Sequence, residues 1–205
     1  MLVYLDFEMN GIFQGKGEMI RIGAIKVANG EVIDSFERYI HPVKYKEIFP
    51  EIKVLTGISN EDVQNAKSFG DVMLEFITWT KHSFVYFYGN TDKESMLYSL
   101  SLCQQLSSDA KKIILTFIEI QTVDLKPYFQ IVDGACMRLS LGDLVKKKTN
   151  KVIDGRKLHQ PIYDATLLWI LHEYYKANLE ENEFSFLHKT DKTVGKEGCV
   201  SASNM

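Results

Sequence analysis

Four acidic residues and one histidine occupy positions from which their side chains could act together. Asp6 and Glu8 end an apolar run that begins at Leu2. Alternate residues of a strand point to the same face, so both carboxylates are predicted to project together from a central strand. Unpaired negative charge is costly there, and no Lys or Arg is adjacent in sequence. A divalent cation is the simplest partner, although two solvated acids at a strand end would give the same pattern.

Asp92 follows a second apolar run, at the predicted opening of a helix. Thr91 and Glu94 around it fit a capping box, and an acidic residue in the first turn also favours the helix dipole. Taken alone, Asp92 is better explained by the helix cap than by ligand binding.

His159 and Asp164 stand at the start of the last long helix. Pro161 suits the first turn of that helix, which places His159 on the loop before it. Asp164 then lies one turn inside, on the face that carries Leu167 and Leu171, and points toward the sheet. An exposed loop imidazole is the simpler explanation of His159 taken alone.

The apolar periodicity predicts strands first, and then strands that alternate with helices. Strands are predicted over residues 2–8, 19–27, 32–40, 83–88 and 120–124, with an Asn29-Gly30 hairpin turn between the second and third. Helices are predicted to begin at Ser59 and near Ser68, and to cover residues 92–106, 139–148 and 162–177. We therefore expect an α/β fold, in which a mixed five-stranded sheet, a meander of three strands followed by βα units, is flanked by helices.

Composition describes a soluble globular protein. The chain has 205 residues, of which 45% are hydrophobic and 25% charged. We predict one domain over residues 1–180 and a polar, disordered tail over residues 181–205. The net charge of −3 offers no bulk attraction to nucleic acid, so a polyanion would have to be held by local patches or bound cations.

The sequence also predicts the cellular compartment of the protein. The start of the chain lacks a basic segment and a cleavable apolar stretch, and no apolar run reaches membrane-spanning length. Cys103, Cys136 and Cys199 are far apart and form no Cys-x-x-Cys pair, which argues against a zinc site or a disulfide framework. We expect a cytoplasmic protein that does not contact a membrane.

The order of the motifs resembles the DEDDh, or DnaQ-like, exonuclease superfamily over about residues 1–176. The resemblance is carried by Asp-x-Glu on the first strand, Asp after the fourth strand, and His-x4-Asp at the last long helix. The KapD-like and ERI-like branch is the most similar. Its Asp-Phe-Glu start, its second strand and its Leu-Thr-Gly-Ile and Ala-x-x-Phe segments resemble residues 6–8, 18–24, 55–58 and 66–69. Asn10 stands where many members have Thr, and Pro161-Ile162 replaces the small residues often found there.

The resemblance implies a ribonuclease H-like fold and a metal-dependent 3′–5′ exonuclease. Such an enzyme would act on single-stranded 3′ ends, with RNA favoured and DNA possible, and release nucleoside 5′-monophosphates. Asp6, Glu8 and Asp164 would hold one divalent cation, Asp6 would bridge to a second, and Asp92 would reach the second largely through water. Oxygen ligands suit Mg²⁺ or Mn²⁺. His159 would be the general base.

Further side chains near these motifs could contact the substrate. Substrate contacts are expected from Phe7, Met9, Asn10, Leu55, Thr56, Asn90 and Tyr163. Stacking on terminal bases is open to Met9, Phe13, Phe87 and Tyr163, for each of which core packing is the simpler explanation. The basic residues before His159 could bind the phosphate backbone of the incoming strand, but a solvated basic loop explains them equally well. They are Lys146, Lys147, Lys148, Lys151, Arg156 and Lys157.

Two other functions are compatible with the motifs. One is a proofreading exonuclease of a DNA polymerase, which is less favoured because no polymerase-binding or clamp-binding segment is evident after Ala177. The other is an inactive exonuclease fold that only binds nucleic acid. Retention of all four acids and the histidine argues against that function, because a binder gains nothing from buried carboxylates.

Overall fold

The computed structural model describes residues 1–133 and 139–191, with side chains for residues 1–132 and 139–178. Within these ranges one sheet contains five strands: β1 (Leu2–Phe13), β2 (Lys16–Ala28), β3 (Glu31–Tyr39), β4 (Val85–Phe87) and β5 (Thr122–Asp124). The strand order is β3-β2-β1-β4-β5. The first three strands are antiparallel neighbours, whereas β4 runs parallel to β1 and β5 parallel to β4. The predicted mixed sheet is confirmed.

Helices cover the sheet and fill the connections. In the described part of the chain they are α1 (Pro50–Thr56), α2 (Asn60–Gln64), α3 (Phe69–Thr80), α4 (Asn90–Leu102), α5 (Ser108–Ile120), α6 (Leu125–Asp133), α7 (Leu141–Thr149) and α8 (Pro161–Asp191). Both predicted serine starts are observed. Ser59 accepts the backbone N–H of Asp62, and Ser68 accepts that of Asp71, so each satisfies an otherwise unpaired N–H of a first turn.

The β1–β2 hairpin is longer than the sequence pattern predicts. Phe13 pairs with Lys16, and the two residues between them, Gln14 and Gly15, have φ angles of 51° and 79°. Positive φ at both central residues is typical of the tight turns that match strand twist. The glycine-bearing segment over residues 10–17, between the predicted strands over residues 2–8 and 19–27, therefore forms the projecting tip of this hairpin.

The alternation of side chains along β1 determines against which face of the sheet each one packs. Val3, Leu5 and Phe7 belong to the core beneath α3, α4 and α5. Tyr4 belongs to the opposite core, which α6, α7 and α8 cover. Burying one large apolar side chain contributes roughly 1.5–3 kcal/mol, so both faces strongly favour this register. Asp6 therefore continues the row of Tyr4, toward α8.

The start of α8 lies directly against β2. Gly23 is the partner of Asp6 in the β1–β2 ladder. A Cβ atom at Gly23 would lie 2.5 Å from Cβ of Pro161 and 2.7 Å from the nitrogen of Ile162. Only glycine leaves room for this approach. The contact brings the first turn of α8 beside the acidic part of β1.

The end of the chain differs from its predicted organisation. Helix α8 continues to Asp191, so the predicted boundary at residue 180 falls inside a helix. Residues 192–205 of the predicted tail lie outside the described residues, as do Cys136 and Cys199. Cys103 is a buried free thiol. Among the described helices, none combines the length and apolar content needed to cross a bilayer.

Candidate active site

Three of the four acidic residues and the histidine surround one cavity. The cavity has a volume of about 290 Å³ and opens beside the second half of β1. Its polar lining includes Asp6, Glu8, His159 and Asp164, and its apolar lining includes Phe7, Met9, Ile12 and Leu55. Three of the expected substrate contacts, Phe7, Met9 and Leu55, thus lie on its surface.

Asp92 completes the group from the neighbouring strand connection. Because β4 is the parallel neighbour of β1, the helix that follows β4 begins next to the acidic end of β1. Asp92 is the third residue of that helix and is only 7% exposed. Its carboxylate is the largest source of repulsion on Asp6, followed by those of Asp164 and Glu8. We call these four residues the acidic cluster.

The capping box predicted around Asp92 is not formed. Helix α4 begins at Asn90, with Gly89 at the N-cap and no side-chain cap hydrogen bond. Thr91 and Glu94 therefore do not explain why an acidic residue stands at position 92.

Burial raises the pKa of every carboxyl group in the acidic cluster, and repulsion from nearby acids raises those of Asp6, Glu8 and Asp92 further. The pKa of Asp6 lies well above its usual value, first because of burial and then because of the other three acids. Burial, together with repulsion from Asp164, raises the pKa of Glu8 to about 8. Burial and the charge of Asp124 raise the pKa of Asp92 to about 8. Burial raises the pKa of Asp164 to about 6.

The chemistry of these donors fits a hard divalent cation. The four groups are packed too closely to ionise together at neutral pH without a compensating positive charge. Glu8, His159 and Asp164 each offer a donor atom, and these atoms lie within 4.8 Å of one another. Carboxylate oxygens are ligands that Mg²⁺ and Mn²⁺ prefer.

His159 lies at the mouth of the cavity on the loop before α8. Its backbone N–H donates to Oδ2 of Asp164 at 2.8 Å, which ties the loop to the first turn of the helix. Its φ angle of 63° is left-handed, an uncommon conformation for a residue other than glycine. Partial burial lowers the pKa of the imidazole, so the ring is neutral and able to accept a proton near pH 7.

Asn10, an expected substrate contact, does not face the cavity. Its side chain is 0% exposed. Its amide donates to the carbonyl of Glu47 at 2.9 Å and accepts the N–H of Phe49 at 3.0 Å. The expectation is corrected accordingly, because the side chain anchors the segment before α1 and has no surface left for a nucleotide.

Three further expected contacts also lie away from the cavity lining. The hydroxyl of Thr56 donates to the carbonyl of Ile52. The hydroxyl of Tyr163 accepts the N–H of Asp154 at 3.0 Å, which supports the loop that carries His159. Asn90 is exposed in an adjoining groove of about 630 Å³. Of the two remaining stacking candidates, Phe87 is 1% exposed and Phe13 is 68% exposed at the hairpin tip.

Several residues of the cavity wall were missed by the sequence analysis. Ile12 reaches the cavity because the β1–β2 hairpin projects, and Ile52 reaches it from α1. Ser140, Leu141 and Gly142 contribute the start of α7. The predicted helix over residues 139–148 was the only signal for that wall, since small and aliphatic residues carry no chemical signature of their own.

The basic residues before His159 divide into two groups. Lys146, Lys147 and Lys148 form the last turn of α7. Arg156 lines a groove of about 780 Å³ next to Leu55 and His159, where its guanidinium pairs with Asp154.

The fold and the acidic cluster together define a ribonuclease H-like nuclease. The RNase T family, described as "Exonuclease", matches residues 3–171. The chain therefore belongs to this exonuclease family of phosphodiester hydrolases, and the resemblance to the DEDDh superfamily is confirmed.

The names of the relatives and neighbours include some that mention DNA and others that mention RNA. The DNA polymerase III PolC-type protein of Thermotoga petrophila is 26% identical over 140 residues, which are 68% of this chain and 10% of the polymerase. The chain thus spans about a tenth of the length of the curated relatives it matches. A 3′-exonuclease in a structure of "3'-end specific recognition of histone mRNA stem-loop" superposes with a TM-score of 0.66 at 17% identity, covering 82% of this chain and 77% of that one. This neighbour fits the ERI-like resemblance. The nuclease domain of 3'hExo, "a DEDDh family member, bound to rAMP", gives a TM-score of 0.57 at 20% identity, with coverages of 82% and 86%.

Proposed function

We propose that this protein is a metal-dependent 3′–5′ exonuclease that shortens single-stranded nucleic acid, RNA in preference to DNA, and releases nucleoside 5′-monophosphates. The observation that carries the proposal is the acidic cluster, in which carboxylates from β1, α4 and α8 meet beside a loop histidine. A purely structural cluster of this kind would be strongly destabilising, because burial and repulsion add and little opposes them.

The acidic cluster would supply the ligands for two divalent cations, Mg²⁺ or Mn²⁺. The carboxylates of all three other acids repel that of Asp6, so Asp6 lies centrally enough that it would be the ligand shared by both ions. Glu8 and Asp164 lie on the side of His159, whereas Asp92 approaches from α4. When bound, the cations neutralise the carboxylates, attract the phosphate and stabilise charge on its oxygens.

His159 acts as the general base. The imidazole lies at the cavity mouth, beside Glu8 and Asp164, where a water approaching the terminal phosphate would pass. Its lowered pKa keeps it unprotonated at neutral pH. The hydrogen bond from its backbone to Asp164 fixes the loop, so the ring can take a proton without losing its position.

Apolar side chains supply a sequence-independent contact for the terminal bases. Phe7, Met9 and Leu55 lie on the cavity wall, and Leu55 is 50% exposed. Stacking and apolar contact tolerate any base, which is what an enzyme that removes successive nucleotides requires. Arg156 lies in the groove next to this wall, where its guanidinium pairs with Asp154 and would meet the phosphates of the incoming strand.

The preference for RNA rests on structural neighbours whose descriptions mention recognition of a histone mRNA 3′ end and bound rAMP, and whose match covers most of both chains. The second candidate is a DNA exonuclease of the proofreading type. It is favoured by the curated relatives, which are DNA polymerases that match this chain over a small part of their length.

The test uses one sequence made as single-stranded RNA and as single-stranded DNA, each labelled at its 5′ end. Each is incubated with the full chain in Mg²⁺, Mn²⁺ or chelator, and a duplex of the same sequence serves as a control. The proposal expects a metal-dependent ladder that shortens from the 3′ end, faster on RNA. The Asp6→Asn protein, prepared identically, excludes a contaminating nuclease.

Each remaining outcome points to a different function. Cleavage of DNA alone would replace the RNA preference with the proofreading-type function. Binding of either strand without cleavage in any metal would show an inactive binding module. Internal cuts, or shortening from the 5′ end, would contradict the polarity.

A further inference from the structure

Asp124, which terminates β5, is a charged residue beside the acidic cluster to which the proposed function gives no role. The parallel register places Phe87 beside Asp124. Earlier in this ladder, the N–H of Val85 donates to the carbonyl of Gln121 at 2.8 Å. Parallel bonds are evenly spaced, but β5 ends at Asp124 and α6 begins at the next residue. The backbone ladder therefore stops before it reaches Gly89.

The side chain of Asp124 continues the ladder where the backbone cannot. Its Oδ1 accepts the N–H of Gly89 at 2.8 Å. The same atom accepts the N–H of Lys126 at 2.9 Å, which is the bond of an N-cap residue to the first turn of α6. One carboxylate oxygen thus joins the starts of two helices.

Gly89 connects Asp124 to Asp92 through its two backbone hydrogen bonds. It is the N-cap of α4, its φ angle is 105°, and no side chain of its own helix caps the first turn. Its carbonyl accepts the N–H of Asp92 at 3.2 Å. A glycine at this φ has wide conformational freedom, so a bond from outside the helix is needed to fix where α4 begins.

A simple helix cap does not account for these contacts. A cap of α6 requires only the bond from Lys126, and Asn or Ser would supply it. The bond to Gly89 and the closeness of a second negative charge to Asp92 are both unnecessary for that purpose.

We propose that Asp124 is a positioning residue of the active site, which acts through Gly89 to hold the Asp92 carboxylate where it can serve a divalent cation. This inference rests on the proposed function. Asp124 lies outside the sequence motifs, and its inferred role is to fix the position of Asp92, one of the four acids.

Three substitutions separate the two hydrogen bonds of Asp124. Asp124→Asn keeps an acceptor oxygen of the same reach and so retains both. Asp124→Ser can still cap α6, but its hydroxyl is too short to reach Gly89. Asp124→Ala loses both. Asp34→Ala is the matched control, because Asp34 also accepts two N–H groups, from Ser35 and Trp79, on the outer strand β3.

Each full-length protein is titrated with Mn²⁺ alone by calorimetry, and cleavage of single-stranded RNA is measured in parallel. Asp124→Ser and Asp124→Ala are expected to bind Mn²⁺ roughly 10–100-fold more weakly, the usual cost of losing a residue that orients a ligand. Their kcat should fall by a similar factor with little change in KM for RNA. Asp124→Asn should rescue both quantities, and Asp34→Ala should change neither.

The proposal is overturned if Asp124→Ser binds Mn²⁺ as the wild type does, because Asp124 would then only cap α6. It is equally overturned if Asp124→Asn is as impaired as Asp124→Ala, since charge and not position would then matter. Should Asp124→Ala fail to fold, the Ser and Asn proteins still decide the question. A wild type that neither binds Mn²⁺ nor cleaves would instead defeat the proposed function.

Discussion

Two neighbouring strands bury acidic side chains in opposite ways. Glu18 on β2 is 3% exposed, and Glu8 on β1 is 6% exposed. The Glu18 carboxylate accepts the backbone N–H groups of Val43, Lys44 and Tyr45. Glu8 instead faces Asp164, and burial and repulsion together raise its pKa to about 8.

The difference shows that burial alone does not identify a functional acid. Three backbone N–H donors within the protein compensate the charge of Glu18. The hydrogen bonding of its carboxylate is therefore satisfied, and the side chain holds the segment before α1. In the acidic cluster, single backbone bonds such as that from His159 to Asp164 do not offset the cost of burial, and the pKa of each carboxyl group stays raised. The residues of the cluster are thus maintained at a cost to stability, as is usual for active sites.

Substitution of Asp6 gives the largest expected effect. Asp6→Asn should abolish cleavage, because it removes the carboxylate that is proposed to serve both cations. The same change should raise the unfolding temperature of the metal-free protein, because a buried, repelled carboxyl group is removed. Activity assays and thermal unfolding in chelator check both. A variant that loses activity and stability together would place Asp6 in the same class as Glu18.

His159 should have the next largest effect. His159→Ala is expected to lower kcat by about 10²–10⁴-fold, the scale of a lost general base, while binding of single-stranded RNA survives. His159→Asn is the matched control, because Asn tolerates the left-handed φ of 63° that Ala adopts only with strain. Equal losses in both proteins assign the effect to the imidazole. Recovery in the Asn protein would assign it to the backbone.

Local patterns were sufficient to predict much of the molecule. The alternation along β1 places Asp6 and Glu8 on one face because the period of a strand is two residues. The serine starts at Ser59 and Ser68 were predicted because a cap acts within its own first turn. The start of α8 followed in the same way from Pro161.

The errors at Asn10 and at the start of α4 involve partners that are distant in sequence. The side chain of Asn10 is hydrogen-bonded to backbone groups 37 and 39 residues away, and no local pattern records such contacts. The same holds for Glu18, whose donors are 25 to 27 residues away. Gly89 replaces the predicted cap because Asp124, 35 residues further on, fixes it. Tertiary contacts thus decide whether a polar residue is a structural anchor or part of a site.

The pH dependence of stability should reveal the raised pKa of Glu8. An unfolded Glu8 has a pKa of 4.5 and the folded one about 8, so the folded state holds the proton longer. The stabilisation is complete below pH 4.5 and is lost as the pH rises toward 8, at about 1.4 kcal/mol per pH unit for this group. Unfolding in chelator should show this decline, and Mn²⁺ at pH 8 should reverse it.

Glu8→Gln provides the control for this measurement. Without the titrating group, the decline of stability between pH 4.5 and 8 should be shallower. A metal-free wild type whose stability is constant or increases over this range would contradict the raised pKa of Glu8.

The smallest expected effect is that of Glu18→Gln. The amide keeps one acceptor oxygen but presents an NH₂ group toward backbone donors, so we expect a loss of roughly 1–3 kcal/mol in the free energy of unfolding. The loss should be the same with and without Mn²⁺, because the partners of the carboxylate are the backbone N–H groups of Val43, Lys44 and Tyr45. Denaturant unfolding in both conditions measures it. The segment held by Glu18 leads to α1 and Leu55, so KM for RNA should rise while kcat changes little. A fall in kcat with weaker Mn²⁺ binding would instead mean that Glu18 supports the acidic cluster, and the contrast between the two strands would no longer hold.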